Sequence, residues 1–296
     1  MDSGLFTFFL PVALAIMMTG LGLELTPKDF MRVGRYPKVI FLALFAQQII
    51  LVSVAFLICV VLKLTPLLAV GLMLLAASPG GPTANLFSYI YKGDVALNIT
   101  LTAINSMICT FTLPFLVNLS ILYFLGDHQK IGIPTTKITL VFLVIFIPVC
   151  LGMFIRSVAP HIALKLNKPM RFLSVAFLCF LFSLAIYKEQ SNLIEYFAEI
   201  GIATALFCFI SLFVGYLLPL LAGIPDRQAR ACTFEVGIHN TAIALTIALS
   251  VLSNTTIALP AGIYSILMYI FAVLFGYILT RRPVNLNESN SKILKE

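Results

Sequence analysis

Residues 66–93 read PLLAVGLMLLAASPGGPTANLFSYIYKG, and residues 232–249 read CTFEVGIHNTAIALTIAL. Each belongs to an apolar run long enough to cross a bilayer, and each is broken near its middle. In the first, Pro79 and Pro82 each remove a backbone donor while Gly80 and Gly81 favour unwinding, so the helix is expected to be interrupted over 78–82. An isolated proline would read as a kink; two prolines and two glycines followed at once by Thr83 and Asn85 read as an irregular segment lining a polar site. In the second, Glu235, Gly237, His239 and Asn240 lie inside otherwise apolar sequence. An ionisable side chain at bilayer depth costs at least about 2.5–3.5 kcal/mol on insertion scales, so Glu235 needs a compensating partner.

The rest of the chain has the same character. Of 296 residues, 60% are hydrophobic and 10% charged, against about 25% charged in an ordinary soluble domain, so a water-soluble globule is excluded. A spanning helix needs about 20 mainly apolar residues. Nine segments qualify, roughly 4–25, 38–62, 66–92, 95–124, 136–157, 170–187, 196–222, 228–250 and 256–280. Connections are short, no extramembrane domain is expected, and the polar tail 281–296 reads as disordered. The N-terminal MDSGLFTFFLP lacks a basic n-region and a cleavage site, so the first span is expected to be retained. The net charge of +7 is scattered over connections, with no basic, aromatic-interleaved domain to hold a nucleic acid. Cys59, Cys109, Cys150, Cys179, Cys208 and Cys232 all fall in or at the end of apolar runs and read as buried small hydrophobes.

Basic residues set the orientation. Fifteen of the nineteen Lys and Arg fall on one side of a nine-span arrangement, among them Lys28, Arg32, Arg156, Lys165, Arg227, Arg230 and Arg281. The N-terminus is therefore expected outside and the C-terminus inside. An odd number of spans is needed for that.

The two interrupted spans, about 66–92 and 228–250, run in opposite directions, and each is second from last in its half. That is the pattern of an inverted repeat: a first repeat of four helices over residues 1–125 and a second of five over 126–280, the first having lost its opening member. Half-helix N-termini meeting at the midplane favour anions, and unwound carbonyls favour cations. The fold class expected is an all-α polytopic membrane protein suited to moving a cation together with an anionic solute.

The residues resemble the bile acid:sodium symporter family, in particular bacterial homologues of the apical bile acid transporters. The resemblance covers nearly the whole chain. It rests on GLGLELTPKDF after the first span, the pair Gln47 and Gln48, SPGGPTANLFSYIYKGDVALNITLT, and FEVGIHNTAIALTIAL. It implies panel and core domains, with the broken helices crossing in the core, and a secondary active transporter working by alternating access, not an enzyme. Carried over position by position, one sodium site is implied at Asn85, Asn98, Thr102 and Glu235. A second is implied at Gln47, Glu235, the carbonyls of Val236 and Ile238, and His239.

Oxygen donors of this kind suit a hard cation. The family often has Ser where this chain has Ala84 and Asn98, and Gln where it has His239, whose nitrogen is a poor sodium ligand. One or two sodium ions are therefore expected, with proton coupling through His239 as the alternative; an acid at i−4 on the same helix face would stabilise its cationic form. Thr83, Asn240 and backbone amides at the start of the second half of the third span are implied contacts for an organic anion, a bile acid-like steroid or a small acid such as pantoate or pyruvate. Pro82 displaces Thr83 by one place from the family's pattern.

A channel or sensor on the same fold is a further alternative. A catalytic metal centre is not expected, because Glu235 and His239 lack a third ligand and His128 and His161 lie elsewhere. The partners expected are the small organic anion and the lipid bilayer of a bacterial inner (plasma) membrane, with no obligate protein partner.

Overall fold

A computed structural model describes residues 36–126, 135–166 and 193–281, with scattered positions between 15 and 34 and between 169 and 176. Most of the first and sixth expected spans, Cys179, His128 and the tail beyond Arg281 lie outside the described residues. The described helices are α1 (Pro37–Val61), α2 (Pro66–Ala77), α3 (Pro82–Ile90), α4 (Val95–Leu125), α5 (Thr135–Val158), α6 (Leu193–Leu221), α7 (Asp226–Gly237), α8 (Thr241–Val251) and α9 (Thr255–Thr280). The expected third and eighth spans are each two helices, α2 with α3 and α7 with α8. Among the described residues, four segments are long and apolar enough to cross a membrane: α1, α4, Ala198–Leu221 of α6, and α9. Large apolar side chains such as Phe41, Leu57, Phe115, Leu122, Ile270 and Leu274 stand exposed on them. Such a surface is unsuited to water and ordinary against lipid.

Local chemistry sets the helix ends. Proline opens α1, α2 and α3, where its missing N–H is no loss. The carboxylate of Asp94 accepts from Leu97 N at 3.0 Å to cap α4, and Asn254 Oδ1 accepts from Ile257 N at 3.1 Å to cap α9. The turn after α1 closes with Leu62 N on Ile58 O, Lys63 N on Val60 O and Leu64 N on Cys59 O. The turn after α6 repeats it with Ala222 N on Leu218 O, Gly223 N on Leu220 O and Ile224 N on Pro219 O. Both turns pass through the left-handed region, at Lys63 (φ 52°) and Gly223 (φ 75°). The N-caps that follow, Thr65 and Pro225, have φ/ψ of −56°/144° and −56°/143°, and each opens a helix of 12 residues. Each of these corresponding positions, Asp94 and Asn254 included, is 160 residues from its counterpart.

Two π turns interrupt the α pattern, over Ala46–Ile50 in α1 and Ile247–Val251 in α8. Each inserts a residue and rotates its neighbours' side chains, a feature often found near functional sites.

Arg230, one of the basic residues counted for orientation, lies inside α7, which starts at Asp226, and is completely buried. Its Nε donates to Asp226 Oδ2 at 2.7 Å, Nη1 to Tyr91 O at 3.3 Å and Nη2 to Leu279 O at 2.9 Å. The guanidinium thus meets the C-terminal ends of α3 and α9, where helix carbonyls are left over and the dipole favours a cation. Tyr216 donates to the other Asp226 oxygen at 2.6 Å. The cysteine reading holds for Cys59, Cys109, Cys208 and Cys232, which are buried and free; Cys150 is free but exposed.

Candidate functional site

The chain leaves helical geometry at 78–81 and again at 238–240, and these two gaps pair with each other. Gly80 and His239 form an antiparallel bridge in which Gly81 N donates to Ile238 O at 2.9 Å and Asn240 N donates to Pro79 O at 2.7 Å. Donors freed by unwinding one helix are satisfied by the other, as a membrane interior demands. The bridge has a second effect. Asn240 N would have closed the next helical turn on Val236 O; because it goes to Pro79 O, the Val236 carbonyl is left at the open end of α7.

Glu235, in the last turn of α7, is 2% exposed. Thr102 donates to its Oε2 at 2.5 Å, while Oε1 has no hydrogen-bond partner. The carboxyl packs flat on the Gly80 backbone: a Cβ at residue 80 would lie 2.2 Å from Oε1 and 2.7 Å from Glu235 O, so a side chain there would displace the carboxylate. At Gly81, by contrast, an added Cβ would meet nothing nearer than 3.5 Å. Asn98, four residues before Thr102 on α4, donates Nδ2 to Ala231 O at 2.7 Å and leaves Oδ1 unpartnered. Asn85, in the first turns of α3, also has a buried Oδ1 without a partner.

Gln47 sits in the π turn of α1. Its Nε2 lies 3.0 Å from Ser78 O and 3.2 Å from His239 Nδ1, and its Oε1 is unpartnered. His239 Nδ1 is also 3.3 Å from Ser78 O, its Nε2 has no partner, and its ring packs on Phe207 and Tyr264 with centroids 5.3 and 5.5 Å away. Tyr264 donates to Gly237 O at 2.9 Å, closing the end of α7 from α9.

The helix ends at Gly237, so Glu235 and His239 do not share a helix face, and no ion pair joins them among the described residues. The expected i, i+4 support of a cationic imidazole by that carboxylate is therefore corrected: unwinding turns residue 239 toward α1, α6 and α9. Thr83 and Asn240 are both partly exposed at the crossing. Asn240 Oδ1 caps α8 by accepting from Ile243 N at 3.3 Å, which leaves the amide Nδ2 available to a solute.

A polar group beside this site carries no motif. Gln48, next to Gln47 in the π turn, donates Nε2 to Asn105 Oδ1 at 3.0 Å and accepts on Oε1 from the Thr112 hydroxyl at 3.0 Å. The only sequence signal was the Gln pair itself.

The chain was compared with known proteins. The model of the Sodium Bile acid symporter family matches residues 11–196. Among curated relatives, the chloroplastic "Probable sodium/metabolite cotransporter BASS1" of Arabidopsis thaliana is 27% identical over 86% of this chain and 62% of its own length. The P3 protein of Mus musculus is 33% identical over 71% of this chain and 44% of its own. The ileal sodium/bile acid cotransporter of Homo sapiens is 26% identical over 90% of this chain and 77% of its own. The chain thus spans less than two thirds of the first two.

Proposed function

The chain belongs to the Sodium Bile acid symporter family, and from that premise we propose that it is a secondary active transporter that couples inward sodium movement to uptake of an organic anion by alternating access. One observation carries the reading. Eight buried side-chain atoms have no hydrogen-bond partner among the described residues, and five of them belong to the proposed ion ligands: Gln47 Oε1, Asn85 Oδ1, Asn98 Oδ1, Glu235 Oε1 and His239 Nε2. Buried acceptors are ordinarily satisfied, and oxygens concentrated around one carboxylate are the donor set of a hard cation. The proposed first sodium site is Asn85, Asn98, Thr102 and Glu235. The second is Gln47, Glu235, His239 and the carbonyls of Val236 and Ile238; the open Val236 carbonyl favours it, and the ring nitrogen at 239 weakens it.

The proposed architecture is nine spans in an inverted 4+5 repeat with panel and core domains. Its support is the set of equivalent turns, caps and 12-residue half-helices 160 residues apart, and the pairing of the two breaks. The solute is proposed to bind beside the crossing, on Asn240 Nδ2, Thr83 and the amides opening α3, where donors without a fixed charge meet an anion next to bound cations. The proposed setting is a plasma (inner) membrane with the N-terminus outside, from the distribution of Lys and Arg. The family and its relatives named for sodium favour sodium as the coupling ion in this reading, with proton coupling through His239 as the alternative.

The test is uptake of labelled taurocholate, pantoate and pyruvate into proteoliposomes under sodium, proton and null gradients. Accumulation of one of them under the sodium gradient alone is expected. Equal uptake without any gradient would make the protein a channel, and accumulation under the proton gradient alone would replace the coupling ion.

A further inference from the structure

The Gln48 cluster runs from a partly exposed flank to the proposed ion site, and its hydrogen bonds have a direction. The Thr112 hydroxyl donates to Gln48 Oε1 at 3.0 Å, the shorter of its two contacts, the other being Ile108 O at 3.3 Å. With its oxygen so engaged, Gln48 must turn Nε2 inward, where it donates to Asn105 Oδ1 at 3.0 Å and lies 3.0 Å from Cys109 Sγ. Asn105 is 2% exposed and sits one helical turn beyond Thr102 on α4. Its oxygen is taken by Gln48 and faced by the Cys109 thiol at 3.5 Å, so its amide nitrogen is the end left over, one turn along α4 from the Thr102 hydroxyl that meets Glu235. An amide has two chemically opposite ends, and which end faces a carboxylate is fixed only by what binds the other.

We infer that Thr112, Gln48 and Asn105 form a directed relay of positioning residues that presents an N–H of Asn105 to Glu235 and thereby sets the sodium affinity of the site. This rests on the proposed role of Glu235 as the shared sodium ligand. Thr102 donates to one oxygen of the carboxyl, and an Asn105 N–H presented beside it would steady it in one rotamer while Oε1 stays free for the ion. Unfixed, Asn105 could turn its oxygen to the carboxylate and repel it.

The molecule contains its own control. The positions 160 residues on are Cys208 for Gln48, Ser265 for Asn105 and Ala272 for Thr112, and where Glu235 would have its counterpart stands Leu75. Ser265 turns its hydroxyl back to Gly262 O at 2.6 Å. Where no carboxylate is present, none of the three relay residues is present either. The π turn explains how one helix supplies both contacts: it directs Gln47 to the break and Gln48, the next residue, to α4.

The experiment is equilibrium binding of labelled sodium to the purified full chain, without solute, alongside melting temperature in sodium-free buffer. Thr112→Val keeps the shape and deletes the donor; it is expected to raise the sodium dissociation constant about 3- to 10-fold with an unchanged melting temperature, and Thr112→Ser is expected to restore it. Gln48→Met is expected to cost at least as much as Thr112→Val. Wild-type sodium affinity in both Thr112→Val and Gln48→Met overturns the relay, as does failure of Thr112→Ser to recover what Thr112→Val loses. Glu235→Gln separates the two levels. If it loses sodium binding while the relay variants keep it, only the relay falls; if it binds sodium like wild type, the site assignment falls and the relay with it.

Discussion

The two broken helices are built on one backbone pattern and carry different side chains at equivalent positions. α2 and α7 have the same length and the same entry dihedrals, and each follows the same three-bond turn. Side chains at equivalent positions then diverge. Glu235 corresponds to Leu75, and His239 to Pro79. On the helices that flank them, Gln47 corresponds to Phe207, Asn98 to Ala258 and Thr102 to Gly262. Every polar member of the proposed ion site has an apolar or featureless counterpart, and the counterparts pack: Leu75, Phe207 and Ala258 are all buried. The pairing of the breaks is thus a property of the backbone, whereas each polar group proposed to bind a cation stands at only one of its two equivalent positions. Cation binding there does not need symmetry; the crossing itself does, because each break supplies what the other lacks.

The sharpest way to break this comparison is to exchange the fates of Glu235 and Leu75. Glu235→Ala should abolish sodium-driven uptake, a loss of at least about 100-fold, while the protein still purifies as a folded membrane protein. Leu75→Ala should leave the sodium constant unchanged and lower stability by about 2–5 kcal/mol, the usual cost of such a truncation in a packed core. Equal loss of sodium dependence in both variants would mean that position 75 serves the ion as position 235 does, and would refute the contrast between them.

A smaller effect separates neighbours within one break. Gly80→Ala pushes a methyl onto Glu235 Oε1 and the residue 235 carbonyl, so sodium-driven uptake should fall about 10-fold or more with a raised sodium constant. Gly81→Ala meets only ordinary contacts and should stay within about 2-fold of wild type. Uptake kinetics against sodium concentration check both, and a reversed order would refute the packing of the carboxyl on Gly80.

Asn240→Asp sharpens the comparison on the solute side. The aspartate keeps an oxygen to cap α8 but replaces the amide donor with negative charge, so the solute constant should rise about 10-fold or more while melting temperature holds. Asn240→Ala should raise the solute constant by less and also cost about 0.5–2 kcal/mol of helix capping. A change confined to the sodium constant would move Asn240 into the ion site.

The smallest expected effect is at His239. His239→Gln restores an amide oxygen opposite Gln47, and the Hill coefficient for sodium should rise toward two. With the imidazole turned away from Glu235, uptake by the wild type should vary by less than about 2-fold between pH 6 and pH 8. A steep pH profile abolished by His239→Gln would return the imidazole to a proton-carrying role.

Much of this was legible because breaking a helix in lipid leaves a strong signature. Pro79, Gly80, Gly81 and Pro82 locate the first gap to within one residue, Pro82 opening α3 instead of lying in the gap. The second was visible only through Glu235, His239 and Asn240, since a helix can end by tertiary pairing without any breaker beyond Gly237, and that is why the i, i+4 relation of Glu235 and His239 failed. Charge counting gave Arg230 a membrane side but not its burial, because a buried arginine needs partners from helices far along the chain, here at Tyr91 and Leu279, which local sequence does not reveal. The π turn has no sequence rule, and so the outcome of the adjacent glutamines was hidden: one turns to the break, the other to a relay whose members stand 57 and 64 residues away.

The bridge between Gly80 and His239 also sets a timetable for biogenesis. The first break is synthesised about 160 residues before the segment whose carbonyl and amide complete it. At roughly 5–20 residues per second, it waits on the order of 10–30 s, with its freed backbone groups held by lipid headgroups, water or the insertion machinery. A nascent chain that stops before residue 226 can never close the crossing. It leaves the backbone groups of the first break without the partners that the second supplies.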